Sequence, residues 1–258
     1  MSPAPDALPP RIAALVQRTW RRQSRTEYTA AALVSEMTHW MLMLGVSPDL
    51  CYRATRVVRD EVRHSTICHE LYRHVGGTDA IALTPRQLQH QDDADQPVHL
   101  RCITAAGELA CEESVALDVF RMRLDNATDP VARDVCEVIL RDEATHRAFA
   151  WELLDALIGM QGVDAVRAFA RPRIPWWLRI YLGAELRERE PVYPPEALAF
   201  GVIDRRAHWT AMRRTVEEDV LPRFRDRGLL ETGATGATLE AELRALQARR
   251  AAGTPLFV

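Results

Sequence analysis

The chain has 258 residues, 47% of them hydrophobic and 27% charged, with a formal net charge of -3. That is ordinary for a folded globular protein and argues against wholesale disorder or a general attraction to nucleic acid or anionic membrane. All 33 basic residues are arginine, which excludes Schiff-base chemistry and a phosphate-binding P-loop lysine, and the five cysteines contain no C-x-x-C pair, so zinc-ribbon, thioredoxin-like and disulfide-scaffold readings lack their signature.

Residues 1–10 carry four prolines and read as a lead-in, followed by a short helix to about Arg22. No basic segment followed by an apolar one marks a signal peptide, and no uninterrupted apolar run is long enough to span a bilayer, so a cytoplasmic protein is expected. From Arg25 to Leu44 the pattern is that of a buried helix, ended by Gly45. Ser47 and Pro48 supply an N-cap and a first-turn proline for a second helix that runs to about Val75 and stops at Gly76-Gly77. Residues 78–98, with two prolines and a polar run, suit a long crossover. A third helix covers about Leu100 to Leu124. The segment from Asn126 to Pro130 gives a stop, a cap and a restart, and the fourth helix continues to about Ile158. Strand signals are nearly absent. The last third of the chain reads as further helices broken by prolines.

Short, long, short is the order of connections in a ferritin-like bundle. The expected fold is therefore all-α, a ferritin-like four-helix bundle with an additional helical C-terminal extension. The division is a lead-in and short helix at 1–24, the bundle at 25–160, and an extension packed on the bundle at 161–258.

Two segments nearly repeat each other on the second and fourth helices: Arg59-Asp60-Glu61-Val62-Arg63-His64 and Arg141-Asp142-Glu143-Ala144-Thr145-His146. Residues three apart on a helix lie about 60° apart around the axis and about 4.5 Å along it, so a Glu and a His at that spacing can grip one ion from the same side. Carboxylate and imidazole together suit iron, manganese or zinc. The helical neighbours of Glu61 and Glu143 are almost all apolar or small, and an isolated carboxylate there is costly unless paired or metal-bound.

Glu113 sits on an apolar stripe of Ala106, Leu109, Ala110, Ala116, Leu117 and Phe120. On the first helix the choice lies between Glu27 and Glu36, which point in opposite directions. Glu27 shares its face with Ala30, Ala31, Val34, Thr38 and Met41, and spacing alone leaves both open. The remaining histidines (His39, His69, His74, His90, His99, His208) have no partner at metal-binding spacing and read as structural or exposed. The Trp176-Trp177 pair reads as an anchor of the extension on the bundle.

One Glu from each of two helices plus Glu-x-x-His from each of the other two is the di-iron carboxylate pattern of ferritin-like proteins. The stretch from Glu27 through Gly45-Val46-Ser47-Pro48, D-E-V-R-H at 60–64, E-S-V-A at 113–116 and D-E-A-T-H at 142–146 resembles a bacterial branch of ferritin-like domain proteins, over residues 25–158. In that branch the first ligand stands eighteen residues before the helix-ending glycine; Glu27 fits and Glu36 does not. The resemblance implies Glu61 and Glu143 as bridging ligands, Glu27 and Glu113 as terminal ligands, and His64 and His146 on one ion each. It further implies Asp60 and Asp142 as hydrogen-bond partners of the opposite motif's histidine. Family members with a radical tyrosine carry it where this chain has Cys68, so a tyrosyl radical of that type is not expected.

The function implied is an oxygen-activating oxidoreductase, an oxidase or monooxygenase, with two iron ions (or manganese, or a manganese–iron pair) and dioxygen as co-substrate. The alternatives are a ferroxidase or iron-storage role and a tRNA-modifying hydroxylase. Expected partners are a small-molecule substrate and an electron donor, with no nucleic acid and no membrane; a homodimer is compatible with this reading.

Overall fold

A computed structural model describes residues 8–91, 94–182, 192–254 and 256–257. Helix α1 spans Pro10–Leu44, α2 Pro48–His74, α3 Val98–Asn126 and α4 Pro130–Gln161. Among the described residues there is no strand, and no helix is long and apolar enough to cross a membrane. The proline-rich lead-in lies outside the described residues as far as residue 7.

The break expected between Arg22 and Arg25 does not exist: α1 is one helix of 35 residues. The Arg22-Gln23-Ser24-Arg25 step contains no proline or glycine to stop it. Its buried face is also continuous, from Val16 and Trp20 through Ser24 and Glu27 to Ala31 and Val34. At that step α1 is tied to α2 by a reciprocal pair: Ser24 Oγ donates to the Ser65 carbonyl and Ser65 Oγ to the Ser24 carbonyl, both at 2.8 Å. Gly45 ends the helix at φ 69°, a left-handed conformation that costs a glycine little. Ser47 precedes α2 as expected but makes no side-chain capping bond; Pro48, with no N–H to satisfy, starts the helix instead.

Helices α1 and α2 pack along their length, as do α3 and α4, and the two pairs face each other through α2 with α4 and α1 with α3. The Gln17 side chain near the start of α1 donates to the Val75 carbonyl just past the end of α2, so the pair is antiparallel. The crossover after α2 contains one 3-10 turn, Pro85–Leu88, and is pinned to α1 where the His90 N–H donates to Glu36 at 2.8 Å. Asp129 caps α4 by accepting from the Ala132 N–H, with Pro130 in the first turn.

Beyond α4 come α5 (Val163–Ala170), α6 (Ile174–Trp177), α7 (Arg179–Leu182), α8 (Pro195–Leu198), α9 (Arg205–Thr215), α10 (Leu221–Asp226) and α11 (Gly236–Ala251). A π turn at Val216–Val220 links α9 to α10, just before Pro222, which has no N–H to return to the preceding turn. Helices α5, α6 and α9 pack on α3, α5 also on α4, and α8 on α1. This cover explains why α3 is buried on almost every side from Cys102 to Cys111. The ring of Trp177 lies where a side chain on Gly107 would stand, 2.4 Å from an added Cβ, so only glycine admits it.

The apolar interior falls into two clusters. One gathers Val34, Met37, Ala54, Val57, Phe149 and Leu153 with the C-terminal helices. The other gathers Val16, Trp20, Cys68, Leu71, Phe120, Cys136 and Ile139. Along α1, α2 and α4 the sequence passes from one cluster to the other through a single polar layer, and that layer contains Glu27, Glu61, His64, Glu143 and His146.

Candidate metal centre

Each Glu-x-x-His pair occupies about one turn of a helix that is firmly packed on both sides of it, α2 for Glu61 and His64, α4 for Glu143 and His146. The four side chains meet: one ligand atom from each can be chosen so that all four lie within 4.8 Å of one another. Glu27 from α1 and Glu113 from α3 adjoin them. All six are buried, none more than 5% exposed. Burying four acids and two imidazoles in one layer is unfavourable unless something neutralises them.

The imidazoles are oriented alike. His64 Nδ1 lies 3.7 Å from Glu61 Oε1 and 3.8 Å from Glu143 Oε1. His146 Nδ1 lies 3.0 Å from Glu61 Oε1, 3.6 Å from Glu143 Oε2 and 3.9 Å from Glu113 Oε2. Both Nδ1 atoms thus face the carboxylates, and both Nε2 atoms face outward to the aspartates. His64 Nε2 stands 3.0 Å from Asp142 Oδ2, within hydrogen-bonding range. His146 Nε2 stands 3.8 Å from Asp60 Oδ2 and has no hydrogen-bond partner. Asp60 is drawn the other way by Arg59, which donates to its Oδ1 at 2.8 Å, and by Arg63 at 3.6 Å. Arg63 also pairs with Asp142. The two halves of the repeat are alike in sequence and unlike in these outer contacts.

Several buried atoms of these four residues lack any hydrogen-bond partner: Glu61 Oε2, Glu143 Oε2, His64 Nδ1 and His146 Nδ1. Unsatisfied buried polar atoms are rare in folded proteins because each costs roughly 1–3 kcal/mol. Carboxylate oxygen and imidazole nitrogen in such a buried group could hold a metal ion.

The protonation pattern of the metal-free cluster has the same origin. Burial, then the charge of Glu61, pushes the Glu27 carboxyl up to about 8. Burial and the facing carboxylate of Glu143 raise Glu113 well above its ordinary range, and burial likewise raises Glu143. For Glu61 burial is outweighed by the nearby imidazoles of His146 and His64, and its carboxyl falls to about 2. His146 rises to about 9 because its contact with Glu61 outweighs burial, and His64 rises for the same reason. Protons therefore do part of the neutralising. Two divalent cations would do all of it, since four carboxylates and two neutral imidazoles balance two such ions.

Glu36, the other acid weighed on α1, faces away from this layer. Its carboxylate accepts from the His90 N–H and from Arg101 at 3.2 Å, so it fastens the crossover to the bundle. Cys68 is fully buried beside the cluster, where burial raises its thiol well above the ordinary range, and it is a free thiol.

Sequence reasoning missed Gln23, which touches the layer, and Arg123, which stands behind it. Gln23 Nε2 donates to Glu27 Oε1 at 2.7 Å, and Arg123 donates to Gln23 Oε1 at 3.3 Å. The signal for Gln23 was its place one turn before Glu27. The signal for Arg123 was an arginine on the continuation of the apolar stripe that carries Glu113, Ala116 and Phe120.

The chain is thus an all-helical protein with a buried Glu/His group that could hold a metal ion. Comparison with family models, with curated proteins and with solved structures finds no match to it.

Proposed function

We propose that this chain is a ferritin-like di-iron carboxylate protein, and that it works as an oxygen-dependent oxidase or monooxygenase on a small organic substrate. The observation that carries the proposal is the convergence of Glu27, Glu61, His64, Glu113, Glu143 and His146 from four helices, with orphaned ligand atoms facing one another. Glu61 and Glu143 would be shared between the ions, Glu27 and Glu113 would each hold one, and each histidine would hold one through Nδ1. Two iron ions, or manganese in one or both positions, match this oxygen and nitrogen donor set. When bound, such a pair supplies the electrons for reducing dioxygen, the co-substrate.

The chain's own part is to hold and to exclude. Asp142 fixes the ring of His64 through Nε2, which keeps Nδ1 free for the metal. The apolar clusters on either side of the polar layer keep bulk water out, so that charge inside it acts at low dielectric. An electron donor and a small-molecule substrate complete the reaction.

Anaerobic loading with ferrous iron, followed by oxygen, tests this. The expected result is uptake of about two irons per chain and oxygen consumption that stops once those are oxidised. Sustained turnover of many irons per chain would instead make the protein a ferroxidase.

A further inference from the structure

Arg123 is 7% exposed and, among the described residues, makes no ion pair. A buried guanidinium without a carboxylate must find other partners. Nη1 donates to the Gly201 carbonyl at 2.9 Å and Nη2 to Gln23 Oε1 at 3.3 Å. The charge also lies near two aromatic rings, 5.2 Å from the centroid of Trp20 and 5.6 Å from that of Phe120. Gln23 uses its other end, Nε2, on Glu27 Oε1.

The direction of this chain of bonds is dictated by chemistry. A guanidinium can only donate and an ionised carboxylate can only accept. The amide between them therefore has one workable orientation, oxygen toward Arg123 and nitrogen toward Glu27. Turned over, it would face donor with donor at one end and acceptor with acceptor at the other. The guanidinium is itself held by the carbonyl of Gly201, whose φ of 69° and tight surroundings favour glycine: an added Cβ would stand 3.3 Å from both Cys136 Sγ and Trp20. Trp20 in turn donates to the neighbouring Phe200 carbonyl at 2.8 Å.

We propose that Arg123 and Gln23 are positioning residues for Glu27: a directed relay, anchored on the 200–201 backbone, that holds one Glu27 oxygen and leaves the other for a metal ion. The inference rests on the reading of the polar layer as a metal centre. It gives the C-terminal third of the chain a part in the site, because the Gly201 carbonyl that fixes the guanidinium belongs to it.

Cobalt(II) binding to the full-length metal-free protein, followed by its visible spectrum, tests the relay without any enzyme assay. Gln23 is the residue to change, since among the described residues its side-chain hydrogen bonds run to Arg123 and Glu27, and its loss leaves the Arg123–Gly201 anchor in place. In Gln23→Leu one of the two ions should bind about 10–100-fold more weakly, the usual cost of losing a residue that orients a ligand, with an altered spectrum. The second ion should bind as in the wild type. Gln23→Met, of different shape and equally unable to relay the bond, should behave alike. Arg121→Gln, a surface change on α3, the helix of Arg123, should bind both ions with the unaltered spectrum. Wild-type affinity and spectrum in both Gln23 variants would overturn the relay. So would loss of both ions together with helical circular dichroism intact, because Gln23 would then act on the whole cluster and not on Glu27. A wild type that binds no cobalt would remove the metal reading itself.

Discussion

Replacing Glu61 or Glu143 by alanine should abolish binding of both metal ions at once. Each carboxylate faces both halves of the cluster: Glu61 Oε1 is within 3.0 Å of His146 Nδ1 and 3.7 Å of His64 Nδ1. Glu143 likewise stands 3.8 Å from His64 Nδ1 and 3.6 Å from His146 Nδ1. An alanine in either place removes an oxygen from each ion and leaves the opposing charges uncompensated. The fall in affinity should therefore exceed the roughly 10–100-fold seen when an outer partner is lost. Thermal unfolding gives a second measure. Each ion at about a hundred times its Kd stabilises a folded protein by about 2.7 kcal/mol, so two ions in a chain of this size should raise the melting temperature by roughly 10–20 °C. The wild type should show that rise on adding metal and the two variants should show none. A variant that keeps one ion at wild-type affinity would mean that its glutamate is not shared.

Glu27→Ala and Glu36→Ala should part company. Glu27 lies in the polar layer, close enough to Glu61 for the two charges to oppose each other, so its loss should weaken one ion by more than about tenfold. Glu36 is half-buried on the other side of α1, and among the described residues its carboxylate bonds to the His90 N–H of the crossover and to Arg101. Its loss should leave metal binding unchanged and cost about 1–2 kcal/mol of stability, the range for hydrogen bonds to a charged group discounted for its partial exposure. Isothermal titration with metal and thermal melts separate the two effects. Impaired binding in the Glu36 variant, with the Glu27 variant intact, would reverse the orientation of the helix.

Much of this architecture was legible from residue pattern because helices declare themselves locally. The duplicated Glu-x-x-His, the glycine at 45 and the Asp129-Pro130 start each act within one or two turns, and the structure places the end of α1 and both ends of α2, α3 and α4 within a few residues of the expected limits. The continuous α1 was misread because four polar residues in a row look like a boundary when their burial is unknown. What makes Ser24 helical and internal is its partner Ser65 on another helix, a contact no local rule contains. The same holds for Arg123. Its neighbours in sequence show a buried stripe, but its bonds run to Gln23 and Gly201, far along the chain in both directions. The unequal fit of Asp60 and Asp142 was hidden for another reason: two near-identical motifs suggest symmetry, and Arg63, where the second motif has Thr145, breaks it by reaching both aspartates.

The central claim, a dinuclear metal centre between Glu61 and Glu143, is tested most directly by crystals of the iron-loaded protein and anomalous scattering at the iron edge. Two peaks should appear in the polar layer, about 3.5–4 Å apart as in other two-metal sites, with His64 Nδ1 on one and His146 Nδ1 on the other. A single peak, or none between those two glutamates under full loading, would contradict it.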